Sequence, residues 1–157
     1  MRQIGCKEAE TNHGISTYHQ VMDNGEYRFR LLKSDGSAYI RTEASSTGAW
    51  QSSHFHSSVK ETYIVQSGWI VYAEFMNGER RLTLYRAGQL FTAQPGAIHN
   101  VYMPADAVVH TVKHGSALTE DRIADEITKR FDEDTQLLLE HQILSMVGEF
   151  PCEGAQT

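Results

Sequence analysis

Cysteine is scarce in this sequence. Two occur among 157 residues, Cys6 and Cys152, and they lie near opposite ends of the chain. Neither is part of a Cys-x-x-Cys pair, so the sequence indicates neither a disulfide-rich scaffold nor a zinc site built from thiolates. Nothing in the spacing pairs the two cysteines with each other.

Net positive charge and long apolar runs are also lacking. The formal net charge is −6 at pH 7, so the chain has no overall positive field to attract phosphates, and nucleic acid is not an expected partner. No apolar stretch reaches the roughly 18 residues of a membrane-spanning helix, and the first residues lack the apolar core of a signal peptide. We therefore expect a soluble protein of the cytoplasm with no membrane partner.

The composition is that of an ordinary globular domain. The chain is 40% hydrophobic and 22% charged, which excludes fibrous repeats and argues against disorder. At this length a chain buries roughly two thirds of the surface that it exposes when unfolded. One domain around one core is the natural expectation.

Short β-like segments separated by turn residues fill the chain from residue 25 to residue 115. They include Tyr27 to Lys33, Ala38 to Ala44, and the pair Trp69 to Met76 and Arg80 to Tyr85. Between the last two, Asn77-Gly78 is the dipeptide best suited to a type I′ hairpin, because both central residues need positive φ. Short strands with turns about every ten residues predict an all-β sandwich or barrel.

The two ends of the chain have a different character. Residues 1–24 are polar and show no clear period, which predicts an arm that is mobile or ordered by a partner. Residues 116–150 carry apolar side chains at helical intervals, which predicts one or two C-terminal helices, packed on the outside of the barrel or at a subunit contact. Asp134 is a candidate N-cap of the second helix, Gly148 can end that helix, and Pro151 separates it from a tail of residues 151–157.

Three histidines and a glutamate are the candidate functional residues. His54 and His56 are one residue apart, so both side chains point to the same side if the chain is extended there. Glu61 enters the next β-like segment five residues later, and His99 follows the Pro95-Gly96 turn. Together these residues predict a metal site.

The spacing around the histidine pair resembles the first motif of the cupin superfamily. Gly48, five residues, His54-Phe55-His56, four residues, Glu61, six residues and Gly68 match that motif at every signature position. A requirement for all of these positions makes a chance match rare, whereas a His-x-His alone is common.

The segment from Gly88 to His99 is similar to the second cupin motif. Gly96 and His99 stand where the family has them. Pro95 lies one place later than the family proline, and Met103 stands where an Asn is usual. These two departures leave the histidines and the glutamate untouched and change the lining beside His99.

The resemblance implies the double-stranded β-helix, or jelly-roll cupin barrel, over residues 25–115, with one or two α-helices after it. It also implies that the chain forms a homodimer, through the N-terminal arm or a sheet face. In the cupins the matching positions hold a divalent metal, which here implies the ligands His54, His56, Glu61 and His99.

A set of imidazoles and one carboxylate, without thiolate, suits Fe, Mn, Ni, Co, Cu or Zn and does not choose among them. Strand alternation predicts that Tyr63 and Val65 share the inward face with Glu61, and that Val101 and Met103 share it with His99. Asn100 should face away from the metal and support neighbouring groups. Trp50 before the pair is expected to pack at the barrel rim.

Side chains on two other strands leave alternatives open. His110 shares parity with Val108 and Val112, so it is either a histidine that faces inwards, where it could move a proton, or a hydrogen-bonded core residue. Tyr39, Arg41 and Glu43 share one face of their segment, and this face either lines a pocket, with Arg41 as an anion clamp, or is solvated.

Three functions compete at this stage. The first is a metal-dependent enzyme acting on a small polar molecule, an oxygenase or an isomerase/lyase, with Tyr63 or His110 as the catalytic group that moves a proton. The second is a non-catalytic cupin that binds a sugar or an organic acid. The third resembles the cupin sugar epimerases, in which a barrel histidine acts as the base and metal is dispensable.

Overall fold

The computed structural model describes residues 1–76, 78–115 and 121–148. Over these residues the chain is built mainly of antiparallel strands, with one short helix before them and two after them. In chain order the elements are α1 (Cys6–His13), β1 (Ile15–Val21), β2 (Tyr27–Lys33), β3 (Ala38–Glu43), β4 (Ala49–Trp50), β5 (Phe55–His56), β6 (Lys60–Ser67), β7 (Trp69–Met76), β8 (Glu79–Arg86), β9 (Leu90–Ala93), β10 (Ile98–Met103), β11 (Val108–His114), β12 (Arg122–Ile123), α2 (Glu126–Gln136) and α3 (Glu140–Met146).

The strands form two main sheets and one small one. The larger sheet has six strands in the order β1-β2-β3-β11-β6-β9, and the second has four in the order β4-β10-β7-β8. A two-stranded sheet joins β5 to β12, and an isolated bridge links His54 to His99. This crossing of non-consecutive strands gives the double-stranded β-helix that the cupin resemblance implies.

The core lies between the two main sheets. Its buried residues come from inward positions of both, with Tyr63, Val65 and Val109 from the six-stranded sheet and Tyr72 and Val101 from the four-stranded one. Alternation along β6 buries Glu61, Tyr63 and Val65, while Thr62 and Ile64 face outwards. The inward positions predicted for β6 are therefore confirmed.

The β7–β8 hairpin has the predicted form. Met76 pairs with Glu79 across a two-residue turn, and Gly78 has a φ of +83°. A positive φ at this place is what favours glycine in a type I′ or related turn. Asn77 lies outside the described residues.

The N-terminal arm differs from its prediction. Residues 15–21 form strand β1, which pairs with β2 along its whole length, from Ile15↔Lys33 to Val21↔Tyr27. The six-stranded sheet therefore begins before residue 25. The sequence of β1 shows little alternation because an edge strand is held by the backbone ladder to one neighbour and leaves most of its side chains exposed.

Two helices follow the barrel, at positions that differ in detail from the prediction. Asp125 caps α2, since its side chain accepts hydrogen bonds from the backbone N–H groups of Ile127 and Thr128. Asp134, predicted as the N-cap of the second helix, lies in the last turn of α2, and Leu139 is the N-cap of α3. Gly148, with a φ of +79°, follows α3 as expected, and Pro151 lies outside the described residues.

The helices cover the outer face of the four-stranded sheet. Phe131 of α2 and Ile143 of α3 are buried in a second apolar cluster with Trp50, Val71 and Tyr102. This is the predicted packing on the outside of the barrel. None of the described helices is long and apolar enough to cross a membrane.

Candidate metal centre

Four side chains from three places in the chain converge inside the barrel. Glu61 lies on the inward face of β6, His99 on β10, and His54 and His56 at the start and end of a short extended segment. The backbones of His54 and His99 hydrogen-bond to each other in both directions, at 3.0 and 2.9 Å. All four side chains are buried.

The Glu61 carboxylate is the centre of this cluster. Its Oε2 lies 2.9 Å from His99 Nε2 and 3.5 Å from His54 Nε2, and its Oε1 lies 3.4 Å from His56 Nε2. One ligand atom each from His54, Glu61 and His99 fall within 4.8 Å of one another. The structure thus brings together all four residues that the sequence predicts, three of them in a compact group that could hold a metal ion.

The outer nitrogens of two histidines define which atoms face the centre. The Nδ1 atoms of His54 and His99 lie 3.2 and 2.9 Å from the backbone carbonyl oxygens of Ser52 and Ala97. A carbonyl only accepts, so Nδ1 carries the proton, and in a neutral imidazole Nε2 then presents a lone pair. Lone pairs therefore point at a carboxylate, an arrangement that a cation between them satisfies.

A lysine that the sequence did not suggest also reaches the centre. Lys113 Nζ lies 2.9 Å from Glu61 Oε1 and 3.1 Å from His56 Nε2. An ammonium group can only donate hydrogen bonds, so it uses the same His56 lone pair that a metal would need. Cross-strand pairing explains its position, since Lys113 stands directly opposite Glu61.

Burial and charge act against each other at Glu61. Burial by itself would raise the pKa of its carboxyl group. The three neighbouring imidazoles and the charge of Lys113 outweigh this and hold the pKa well below its usual value. Burial lowers the pKa of His54 to about 4, so at neutral pH this imidazole is uncharged, as a metal ligand must be.

Tyr63 is the predicted catalytic residue that the structure places at the centre. Its hydroxyl donates to Glu61 Oε2 at 3.0 Å and lies 3.4 Å from His99 Nε2. Burial and the nearby Glu61 charge raise the pKa of the phenol well above its usual value. Tyr63 is therefore a neutral phenol that donates a hydrogen bond to the Glu61 carboxylate.

His110, the other predicted catalytic residue, faces away from the cluster. It stands opposite Arg41 and Ile64 on the outer face of the six-stranded sheet. There its ring nitrogens contact Tyr39 Oη at 2.7 Å and Gln66 Oε1 at 2.6 Å. The prediction that His110 faces inwards is therefore wrong. Both faces of β11 carry apolar residues, so alternation alone cannot decide which face points into the barrel.

The same pairing decides the other open alternative. Tyr39, Arg41 and Glu43 share the outer face with His110, and Arg41 pairs with Glu43 at 2.9 Å. Arg41 is thus no clamp for a ligand inside the barrel. Trp50 packs against Tyr102, with ring centroids 5.4 Å apart, as expected for rim packing.

Two carboxylates from the C-terminal segment hold the histidine pair in place. Asp121 accepts hydrogen bonds from the backbone N–H groups of Ser57, Ser58 and Val59, and its Oδ2 lies 3.4 Å from His56 Nδ1. Desolvation by itself would raise the pKa of Asp121, but hydrogen bonds from the Ser57 hydroxyl, the Val59 N–H group and the Ser58 hydroxyl and N–H group lower it. Sequence reasoning missed Asp121 because 60 or more residues separate it from its partners.

Asp132 supports the other side of the pair. It accepts from the Ser53 backbone N–H at 2.7 Å and from the Ser53 hydroxyl at 2.6 Å. Asn100, which faces away from the centre as predicted, donates to the hydroxyls of Ser53 and Thr135 at 2.9 and 2.7 Å. The backbone before and after the histidine pair is therefore held by side chains of the C-terminal segment that follows the barrel.

Comparison with known proteins supports the fold. No protein-family model matches the chain, and no curated protein is similar to it in sequence. Among solved structures, it is similar to a conserved Klebsiella pneumoniae protein with a double-stranded β-helix domain, with a TM-score of 0.52 and 22% identity over 76% of this chain and 94% of that one.

Two further solved structures are similar in fold. Bacillus subtilis oxalate decarboxylase, which has Mn(II) centres, matches with a TM-score of 0.57 and 16% identity over 85% of this chain and 38% of that protein. The cupin domain of Drosophila melanogaster CENP-C matches with a TM-score of 0.50 and 13% identity over 62% and 75%. At these identities the likeness establishes the fold alone.

Replacement of Asp121 tests the support of His56. We expect Asp121→Ala to weaken binding of Zn²⁺ or Mn²⁺ by about 10- to 100-fold, because the loop after His56 loses the acceptor of its backbone N–H groups and no longer holds the ring in place. Competition with a chromophoric chelator measures the affinity. Asp134→Ala, which removes an exposed carboxylate of α2, is the control, and equal affinities in the two variants would contradict the role of Asp121.

Lys113 should oppose metal uptake. We expect Lys113→Met to bind metal about tenfold more tightly than the wild type, since it frees His56 Nε2 and removes a positive charge beside the ligands. The same chelator competition measures this, with Lys60→Met, an exposed lysine on β6, as the control. Weaker metal binding by Lys113→Met would mean that the ammonium supports the metal site.

Proposed function

We propose that this chain, which has the cupin fold, is a metal-dependent enzyme acting on a small polar metabolite through a divalent ion. The observation that carries the proposal is a buried carboxylate surrounded by histidine nitrogens whose lone pairs face it. The ligands are His54, His56, Glu61 and His99.

The donor set fits such an ion. It offers nitrogen and oxygen atoms without thiolate, which suits Fe, Mn, Ni, Co, Cu or Zn. When bound, the ion would polarise a substrate oxygen or, if redox-active, support O₂ chemistry. A closed structural zinc site would more often be built from cysteines, and Cys6 is exposed and lies outside the cluster.

The residues around the ligands provide the rest of a reaction site. A cavity of about 1030 Å³ reaches His54, Glu61 and Tyr63 from the surface and gives a small molecule access to the centre. The Tyr63 hydroxyl donates a hydrogen bond to Glu61 and so keeps the carboxylate oriented and ionised. A proton donor next to a metal ligand can serve an oxygenase or an isomerase/lyase, and oxygen uptake with candidate substrates distinguishes the two.

Two other functions remain as alternatives. A cupin that binds a sugar or organic acid without turnover would use the same cavity and metal. An epimerase-type mechanism needs a barrel histidine as base, and the position of His110 on the outer face leaves only the ligand histidines for that role among the described inward residues. The histidine Nε2 lone pairs that face Glu61 therefore favour a metal-dependent function.

We also propose that the chain forms a homodimer through the outer face of the six-stranded sheet. This face exposes large apolar side chains at 37–62% of their full area. Register places them all on one side of the sheet, and contiguous apolar surface of this kind is typical of an interface. The residues are Val21, Tyr27, Phe29, Leu31, Tyr39, Ile64 and Leu90.

Metal content tests the proposed function. We expect wild-type protein, reloaded and desalted, to retain about one equivalent of divalent metal and the Glu61→Ala, His99→Ala double variant to retain roughly a tenth of that or less, because two of four ligands are lost. Elemental analysis measures both. His110→Ala, on the outer face, should match the wild type, and negligible metal in every sample would rule out a metal-dependent enzyme.

Oligomeric state tests the dimer. We expect sedimentation to give the mass of two chains for the wild type and of one chain for Phe29→Asp, because a charge at the centre of the apolar face opposes its burial. Leu137→Asp adds the same charge at an exposed position outside this face and should stay dimeric. A monomeric wild type would refute the interface.

A further inference from the structure

The cavity in front of the metal centre is lined by positive charge, in contrast to the chain as a whole. Four cationic side chains line it: Arg28, Arg30, Lys113 and Arg122. The chain carries a net charge of −6, so this concentration is local. Of the other acids in the lining, Asp23 is exposed and Glu140 accepts a hydrogen bond from Tyr102 at 2.8 Å.

Strand register places the arginines and the metal centre on one surface. Arg30 stands opposite Ile40, which stands opposite Thr111, which stands opposite Tyr63. Directly opposed residues of antiparallel strands point to the same face. Arg30 therefore shares the inner face of the six-stranded sheet with Tyr63 and Glu61, across strands β3 and β11.

Within this group, the charges differ in how they are compensated. Arg28 is paired with the buried Glu26 at 2.7 Å, and Lys113 with Glu61 at 2.9 Å. Among the described residues, the guanidinium of Arg30 has only neutral partners: the Gln20 amide oxygen at 3.1 Å, the Met22 sulfur at 3.5 Å and the face of the Tyr18 ring.

Arg30 is thus a half-buried cation with no carboxylate partner in the part of the chain that the structure describes. Burial lowers the pKa of its guanidinium, and the charge of Arg28 lowers it further. A guanidinium in this setting is stabilised by an anion that reaches it, and its planar N–H groups match a carboxylate in a bidentate manner.

Lys113 supplies a second anion contact at the inner end of the cavity. In the structure it donates to His56 Nε2 and Glu61 Oε1. When His56 Nε2 ligates a metal, Lys113 loses that acceptor and has an N–H group free for a substrate anion. The strands that carry Arg30 and Lys113 are separated by one other strand, so their backbones lie about 10 Å apart.

We propose that the substrate is a small dicarboxylate, with one carboxylate held beside the metal centre by Lys113 and the other held by Arg30. This inference rests on the proposed metal-dependent function and adds the substrate class. Arg30 binds the substrate in this scheme. Arg28 forms the ion pair with Glu26, so that the Glu26 charge does not compete for Arg30. Neutral sugars would leave the positive charge of Arg30 unmatched.

The experiment titrates α,ω-dicarboxylates from malonate to adipate into the whole chain, with and without Mn²⁺, by calorimetry. We expect one chain length to bind best. Arg30→Gln should lower the affinity for that ligand by at least about tenfold, the value of one charge-assisted hydrogen bond. The same substitution should change the affinity for butyrate, which has one carboxylate, by less than about twofold, because butyrate lacks the group that Arg30 holds.

Arg41→Gln is the matched control, since it removes an arginine from the outer face of the adjacent strand. It should bind the dicarboxylates as the wild type does. The corresponding neutral diamides are titrated in the same way. The proposal is overturned if no dicarboxylate binds in the millimolar range, if the diamides bind equally well, or if Arg30→Gln binds the dicarboxylate as tightly as the wild type does.

Metal content measured on the same samples separates this inference from the proposed function. If no metal is retained, the proposed function fails. Titration of the metal-free chain then still tests the dicarboxylate site, because Lys113 and Arg30 belong to the protein itself. An effect of Arg30→Gln in that form supports the substrate class, and its absence refutes it.

Discussion

The structure depends on one buried negative charge, the Glu61 carboxylate, which is only 3% exposed. An ionised carboxylate removed from water without partners costs several kcal/mol or more, so the surrounding fold has to supply donors and positive charge. The Tyr63 hydroxyl and the Lys113 ammonium fill this role, and three imidazoles enclose the carboxylate. Because these groups come from β6, β10, β11 and the segment before β6, the charge ties both faces of the barrel together at one point.

The helical extension belongs to the same arrangement, although it lies outside the barrel. Its Asp121 and Asp132 hold the backbone on the two sides of the histidine pair, and its Thr135 accepts from Asn100, the residue after His99. A short segment such as residues 53–57 has little secondary structure to fix its course, so it takes its geometry from these side-chain acceptors. The extension thus orients the candidate metal ligands and also covers the apolar sheet.

Several parts of the fold and the site were predictable from local patterns. The cupin spacing identified the four converging residues, alternation placed Tyr63 and Val65 beside Glu61, and Asn77-Gly78 marked the β7–β8 turn. The errors share a cause. The strand at residues 15–21 and the outward face of His110 depend on pairing with distant strands, and weak or two-sided apolar patterns do not record such pairing.

By itself, the sequence determined the barrel class, the ligand types and their order along the chain, because these follow from residue chemistry and short-range spacing. Only the tertiary structure decided what surrounds them: the Lys113 ammonium beside His56, the Asp121 support and the Arg30 charge in the cavity. Each of these contacts joins residues 50 or more positions apart or strands separated by others. Their partners are selected by sheet register and by the path of the C-terminal segment, which no local pattern encodes.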